Sequence, residues 1–340
     1  MAVTDIVTST WLKDRYLYGI DLTDDNGVAY PEALYTSAID SAVATVSAEF
    51  DIELHGPQKY VERYDTFHQH GISWFLTHLM HKPVVEIDKL MVQFANFPQV
   101  EIPTEWAQIA DSNVAQVQLM PGPEALANTA FSGGIPFVGI QGVMWRDYTP
   151  QWWKYEYTAG FEYDLEGTVA QVHGATIVTG TGTSFLTPTH SPAKAAFTVR
   201  AGDYVRITSG ITTNGDTVSS VPVRVKSVES DTSITLDAAF GADHDFTGAS
   251  MRLMKYPGDI LDCIGLIASM LPLDTAGDLI IGAGISRLNV GVDGLHQEIQ
   301  TTSGVDNSGY GARVIQYKAR LREIIHRVKR RYNPPKMMVI

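Results

Sequence analysis

One cysteine, Cys263, stands among 340 residues. No disulfide can therefore form within the chain, and its place in an apolar run reads as a small buried hydrophobe. No eighteen consecutive residues are apolar, which predicts no membrane-spanning segment. The opening Met1-Ala2-Val3-Thr4-Asp5 lacks the basic and apolar regions of a secretory signal. Phosphate-cradling loops are missing too: Gly180-Thr181-Gly182 and Gly282-Ala283-Gly284 lack a third glycine and a following Lys-Ser or Lys-Thr. Neither a serine-hydrolase elbow nor a cysteine pair for zinc is present. These absences predict a chain that is not an enzyme and holds neither cofactor nor metal.

What is present is an uneven distribution of charge. From Tyr310 to Ile340 nine Lys and Arg stand against a single acid, Glu323, while the preceding 309 residues hold 16 bases and 37 acids. An acidic body ending in a basic helix is suited to meeting an acidic neighbour or a phosphate backbone through that end. Hydrophobic content of 44% is enough for a sizeable core, and the length suggests two domains.

The texture of the chain changes twice. Residues 7–20 and 31–50 have helical spacing, the second opened by Pro31 with Leu34, Ile39, Val43, Val46 and Phe50 as its inner stripe. Strand patterns follow at 60–97 and 114–120, with a glycine-rich loop or arm at 131–144. Trp152 to Phe161 reads as an aromatic strand closing in a glycine turn, and Tyr256-Pro257-Gly258-Asp259 opens an apolar helix predicted over 260–271. Between them lie about ninety residues rich in Gly, Thr, Ser and Val, with strand alternation and no helix. The expected fold is therefore α+β. A helical body with a small β-sheet, 1–166 and 256–340, carries an inserted all-β sandwich or barrel, 167–255. Segments 277–285 and 300–311 read as flexible, and the final helix as 311–332, stopped by Asn333-Pro334-Pro335.

That last helix holds the residues singled out for docking to a partner. Tyr317, Leu321, Ile324, Val328 and Tyr332 form an apolar seam with Val314, flanked by Lys318, Arg322 and Lys329 on one side and Arg320, Arg327 and Arg331 on the other. Arg313 and Arg330 complete the set. Strand alternation places Trp153, Tyr155 and Tyr157 in the core and turns Trp152 outward, towards another layer or a partner subunit. With Trp145 and Tyr148 this segment could alternatively stack sugars. His68 and His70, near Glu62 and Asp65, are the metal candidates; aromatic packing explains them better. Asp243 and Asp245 read as loop residues rather than calcium ligands.

Several runs resemble the head–tail connector (adaptor or neck) proteins of tailed bacteriophages. They are Pro83-Val84-Val85-Glu86-Ile87, Tyr157-Thr158-Ala159-Gly160-Phe161, Pro257-Gly258-Asp259-Ile260, and Val292-Asp293-Gly294-Leu295 through Tyr310-Gly311-Ala312-Arg313. The insert, with Val178 to Phe185, Ala201-Gly202-Asp203 and Ser230 to Leu236, resembles a module recurrent in phage tail and neck proteins. Typical connectors are shorter and lack it. The resemblance implies a structural virion protein at the head–tail junction, made in the bacterial host cytoplasm. It would form a ring with copies of itself, a dodecamer, under the portal protein and above a tail or neck completion protein. Part of the conduit for viral genome ejection, it would touch genomic DNA without specificity and meet no membrane. The other reading is a carbohydrate-binding, adhesin-type phage tail protein using the β insert and the Trp-rich segment.

Overall fold

The computed structural model describes residues 3–20, 22–24, 26–67, 76–92, 100–119, 148–187, 191–241, 245–281, 287–292, 295–300 and 310–333. The chain divides into two compact units, one of residues 1–50 with 256–340 and one of residues 51–255.

The first unit is built on four helices: α1 (Ser9–Tyr16), α2 (Glu32–Phe50), α3 (Gly258–Ile281) and α4 (Gly311–Tyr332). Thr8 caps α1 through its hydroxyl, which accepts the Trp11 N–H. Helix α2 buries Tyr35, Ile39, Val43, Val46 and Phe50, at steps of three and four, so it can pack on one side only. Helix α3 is the centre of the unit and packs against α1, α2 and α4. Its first twenty residues have a mean hydropathy of 1.4, long and apolar enough to cross a membrane, yet 67% of that stretch is buried. Cys263 lies there, fully buried, and burial foremost pushes its thiol up to about 12, so it stays protonated and inert at neutral pH.

Helix α3 runs ten residues past its expected end at Leu271, through Pro272. Proline removes one intrahelical N–H, a local cost that normally breaks a helix. Here Leu273 and Ala276, both buried, hold the following turn in place, and tertiary packing wins. Residues 277–281, expected to be flexible, are therefore helical.

Gly265 marks the tightest contact of α3. A Cβ there would lie 2.3 Å from the Tyr16 ring, whose hydroxyl donates to Asp262 Oδ1 at 2.7 Å. Gly265→Ala should destabilise this unit by about 1–3 kcal/mol, because the ring cannot withdraw without losing that bond. A urea midpoint of the helical circular-dichroism signal unchanged from the parent would show that Tyr16 has room to turn.

The second unit holds strands β1 (Gln58–Phe67), β2 (Leu76–His78), β3 (Val84–Val92), β4 (Val100–Ile102), β5 (Ala107–Asp111), β6 (Gln116–Leu119) and β7 (Tyr148–Ala159). They make two antiparallel sheets, ordered β1-β7-β3-β4 and β2-β6-β5. Strand β7 ends at Gly160, whose φ of +146° and whose Cβ position, 3.0 Å from Pro57 Cα, both require glycine.

The remaining strands are β8 (Glu162–Asp164), β9 (Thr168–Gln171), β10 (Ile177–Thr181), β11 (Tyr204–Thr212), β12 (Val223–Ser230), β13 (Ser233–Leu236) and β14 (Phe246–Met254). Six of them close on themselves in the order β9-β10-β13-β12-β11-β14, with β14 returning to β9. Strand β8 continues the edge of β14 that β9 leaves. The insert is thus a closed barrel, and closure removes the exposed strand edges that invite aggregation. Its interior is filled by Val169, Val178, Ile207, Ile234, Phe246 and Leu253, among others.

The expected division of the chain, 1–166 with 256–340 against 167–255, differs from these units. Residues 51–166 belong with the barrel, because the segment before β11 ties the two together. Ile87 N–H donates to Ala193 O at 2.8 Å, Ala195 N–H to Val85 O at 2.8 Å, and Ile109 N–H to Pro192 O at 2.9 Å. The first strand of the closed barrel, β9, starts at Thr168, beside the expected start at 167, and β8 precedes it as an added edge strand on β14.

Between α3 and α4 lie two more strands, β15 (Arg287–Val292) and β16 (Leu295–Gln300). They pair antiparallel, Arg287 opposite Gln300 and Val292 opposite Leu295, with Asp293-Gly294 between them. Asp-Gly between alternating apolar residues is a strong hairpin signal, and the sequence reading used it only as part of a family resemblance.

Candidate assembly surface

Helix α4 spans the expected residues, and its surroundings separate two rows of side chains. The inner row faces its own unit. Val314, Ile324, Val328 and Tyr332 are buried, and Tyr317 and Leu321 are half-buried. Four of the cations belong to this row. Arg313 Nη2 donates to Tyr16 O at 3.1 Å, beside the Tyr317 hydroxyl, which donates to the same oxygen at 2.6 Å. Arg320 Nη2 lies 3.1 Å from Asp262, Arg331 Nη1 3.1 Å from Asp259 and Lys329 Nζ 2.6 Å from Glu49. Asn333 Nδ2 donates to Phe50 O at 3.1 Å, so the end of α4 satisfies a terminal carbonyl of α2 and sets Lys329 near its negative pole.

The apolar seam assigned to a partner is therefore this chain's own core, a correction with a simple cause. A seam at steps of three and four must pack on something, and α3 and α2 are within reach. Sequence spacing shows that a stripe is covered, not what covers it.

The outer row remains. Arg322, Arg327 and Arg330 are exposed and have no ionic partner among the described residues, and His326 is exposed between them. Lys318 is half-buried. Glu323 is the only acid on the helix. Three of the carboxylates nearest α4 are already engaged by the inner row, so the outer row keeps its charge.

The antiparallel pair β15–β16 is the second element of interest. It pairs with no other strand among the described residues. Its register places Leu288 opposite Ile299, Val290 opposite Gln297 and Val292 opposite Leu295, so five of the six positions on one face are apolar. The opposite face carries Arg287, Asn289, Gly291, His296, Glu298 and Gln300. Two strands alone are marginal in water.

Trp152 is not a partner contact: it is 1% exposed and belongs to the same core as Trp153, Tyr155 and Tyr157. Alternation fails because the β1–β7 register advances two residues from Tyr64 to Thr66 against four from Trp153 to Thr149. Gln151, with φ of +48°, sits in that bulge, and its N–H donates to Asp65 Oδ1 at 2.7 Å. Both indoles consequently enter the core. Buried rings cannot stack sugars, so Trp152 to Tyr157 make no glycan platform; Trp145 lies outside the described residues.

His68, His70 and Asp243 also lie outside the described residues. The carboxylates named beside the histidines have other roles. Glu62 accepts from the hydroxyls of Tyr64 and Tyr157 and from the Met80 N–H at 3.1 Å. Burial first, and then these bonds, raise both phenols above their ordinary range, keeping them neutral donors. His81 stacks on Tyr60 with ring centroids 3.6 Å apart. The cluster fastens β1 to β7 and to the chain after β2. Asp245, the calcium candidate within view, accepts the His173 N–H at 2.7 Å, which ties the chain after β9 to the residue before β14.

No protein-family model matches the chain, and no curated protein does. Among solved structures, a chain from the neck of an empty GTA particle, computed with C6 symmetry, is similar over 47% of this chain and 69% of its own length. Identity is 15% and the TM-score 0.27, a likeness too slight to transfer a role.

Proposed function

We propose that this chain is a structural neck subunit of a tailed-phage-type virion, a head-to-tail adaptor. It assembles with copies of itself into a ring, a dodecamer by analogy with connectors, between portal protein and a tail or neck completion protein. It works by fitting and performs no reaction; the genome passes through the conduit that the ring completes. Support comes from the connector-like runs at Pro83–Ile87, Tyr157–Phe161 and Val292–Arg313, joined to a barrel insert on one continuous chain.

One observation carries the assembly role: the ribbon at 287–300, unpaired at both outer edges among the described residues, with an apolar face set by its register. A neighbouring copy is the cover this reading supplies. The seam of α4 is committed internally, so the ribbon replaces it as the docking element. The triple substitution Leu288→Ser, Val290→Ser and Ile299→Ser should abolish rings, leaving folded single subunits by native mass spectrometry, in the presence of portal protein as well as alone. Rings of parental mass from the triple variant would refute the assignment.

A further inference from the structure

We infer that the outer row of α4 is a non-specific contact for the phosphate backbone of duplex DNA. Arg322 and Arg330 are eight residues apart, roughly 12 Å along the helix at 1.5 Å per residue, and Arg327 lies between them in height, about 60° further round the helix than Arg330. One DNA strand presents a phosphate about every 3.4 Å along its axis, so this ridge spans about three successive charges.

The choice between DNA and an acidic protein rests on what the ridge lacks. Stable protein interfaces have an apolar or aromatic centre that is fully desolvated, ringed by polar residues. Around the outer row stand Gln316, Ala319, Glu323 and His326; the large apolar side chains near it are Ile325, half-buried, and Ile315, 41% exposed and nearly two turns before Arg322, with no aromatic among them. Phosphate contact needs positive charge alone and no base-reading residue. The inner row strengthens the case. Asp262, Asp259 and Glu49 neutralise Arg320, Arg331 and Lys329, whereas Arg322, Arg327 and Arg330 meet no carboxylate among the described residues. With 37 acids and 16 bases before Tyr310, the remainder of the chain repels DNA. The contact is accordingly weak and salt-sensitive, suited to a polymer that slides past.

This inference takes from the neck role only the identity of the polyanion, and it can be tested on the isolated chain. Fluorescence anisotropy with a labelled mixed-sequence duplex, titrated across a series of salt concentrations, should show weak binding. Log affinity should fall against log salt with a slope of about −2.7, from three neutralised phosphates at about 0.9 each. An unrelated sequence should bind equally. The triple variant Arg322→Gln, Arg327→Gln and Arg330→Gln should lose binding, whereas Arg224→Gln on the barrel should not. Three results would overturn the inference: no binding at low salt, unchanged binding by the triple variant, or displacement of DNA by polyglutamate at equal charge. The last would identify an acidic protein as the partner. Ring formation by the triple variant is measured separately, so either reading can fail while the other stands.

Discussion

Replacing Glu162 by Ala should cost the barrel about 3–5 kcal/mol. The Glu162 side chain is completely buried, with Arg206 Nη2 3.1 Å from its Oε2 and Arg252 Nη1 3.4 Å from the same atom. Arg252 also grips Asp164 with two nitrogens, at 2.6 and 3.0 Å. These residues come from β8, β11 and β14, so the cluster locks the strand that enters the barrel onto the strand that leaves it. Removing the carboxylate leaves a desolvated guanidinium against the gap, and that penalty exceeds what the pair itself contributes. Hydrogen exchange of the β11 and β14 amides should accelerate by two orders of magnitude or more, since each 1.4 kcal/mol is about tenfold. The double variant Glu162→Leu with Arg206→Met should recover most of the loss, because a well-packed apolar pair can substitute for a buried ionic one. Parental exchange rates in Glu162→Ala would mean that solvent already reaches the cluster.

Truncation after Tyr310 should prevent the helical unit from folding. Residues 311–332 are part of the core of that unit, not an appendage to it. Val314, Ile324, Val328 and Tyr332 are each no more than 4% exposed. At roughly 1.5–3 kcal/mol for each buried large side chain, their loss removes on the order of 6–12 kcal/mol, comparable with the whole stability of a typical domain. Far-ultraviolet circular dichroism should lose most of its helical signal, while residues 51–255 keep their slow amide exchange. A truncated chain that still melts cooperatively as a helical protein would show that α1, α2 and α3 suffice. The Gln variants of Arg322, Arg327 and Arg330 provide the contrast, since exposed substitutions usually stay within about 0.5 kcal/mol.

Much of the fold is legible in the residues because the elements obey local rules. Pro31 and Asn333-Pro334-Pro335 mark helix ends, and the spacing from Val314 to Tyr332 marks an amphipathic helix. The mixed α+β class and the all-β character of the insert follow from such patterns, and the structure has both. Illegible features arise where a distant contact overrides a local one. Pro272 should stop α3, yet Leu273 and Ala276 are held by packing. Trp152 should face outward, yet a bulge at Gln151 rotates it inward. The candidate site was half legible: the helix and its two flanks could be read, but which cations of each flank are neutralised depends on Asp259, Asp262 and Glu49. Those carboxylates lie tens to hundreds of residues away in sequence.

The base of the barrel has a mechanical consequence. Lys255 N–H donates to Phe161 O at 2.8 Å, and Met254 lies opposite Glu162 in the ladder. The insert therefore leaves the rest of its unit almost where it entered. Tension along the backbone would cross that gap through one hydrogen bond and the adjoining ion pairs, bypassing the barrel. A domain attached in this way can grow, shrink or be exchanged over generations without changing the distance between Phe161 and Lys255 at its base.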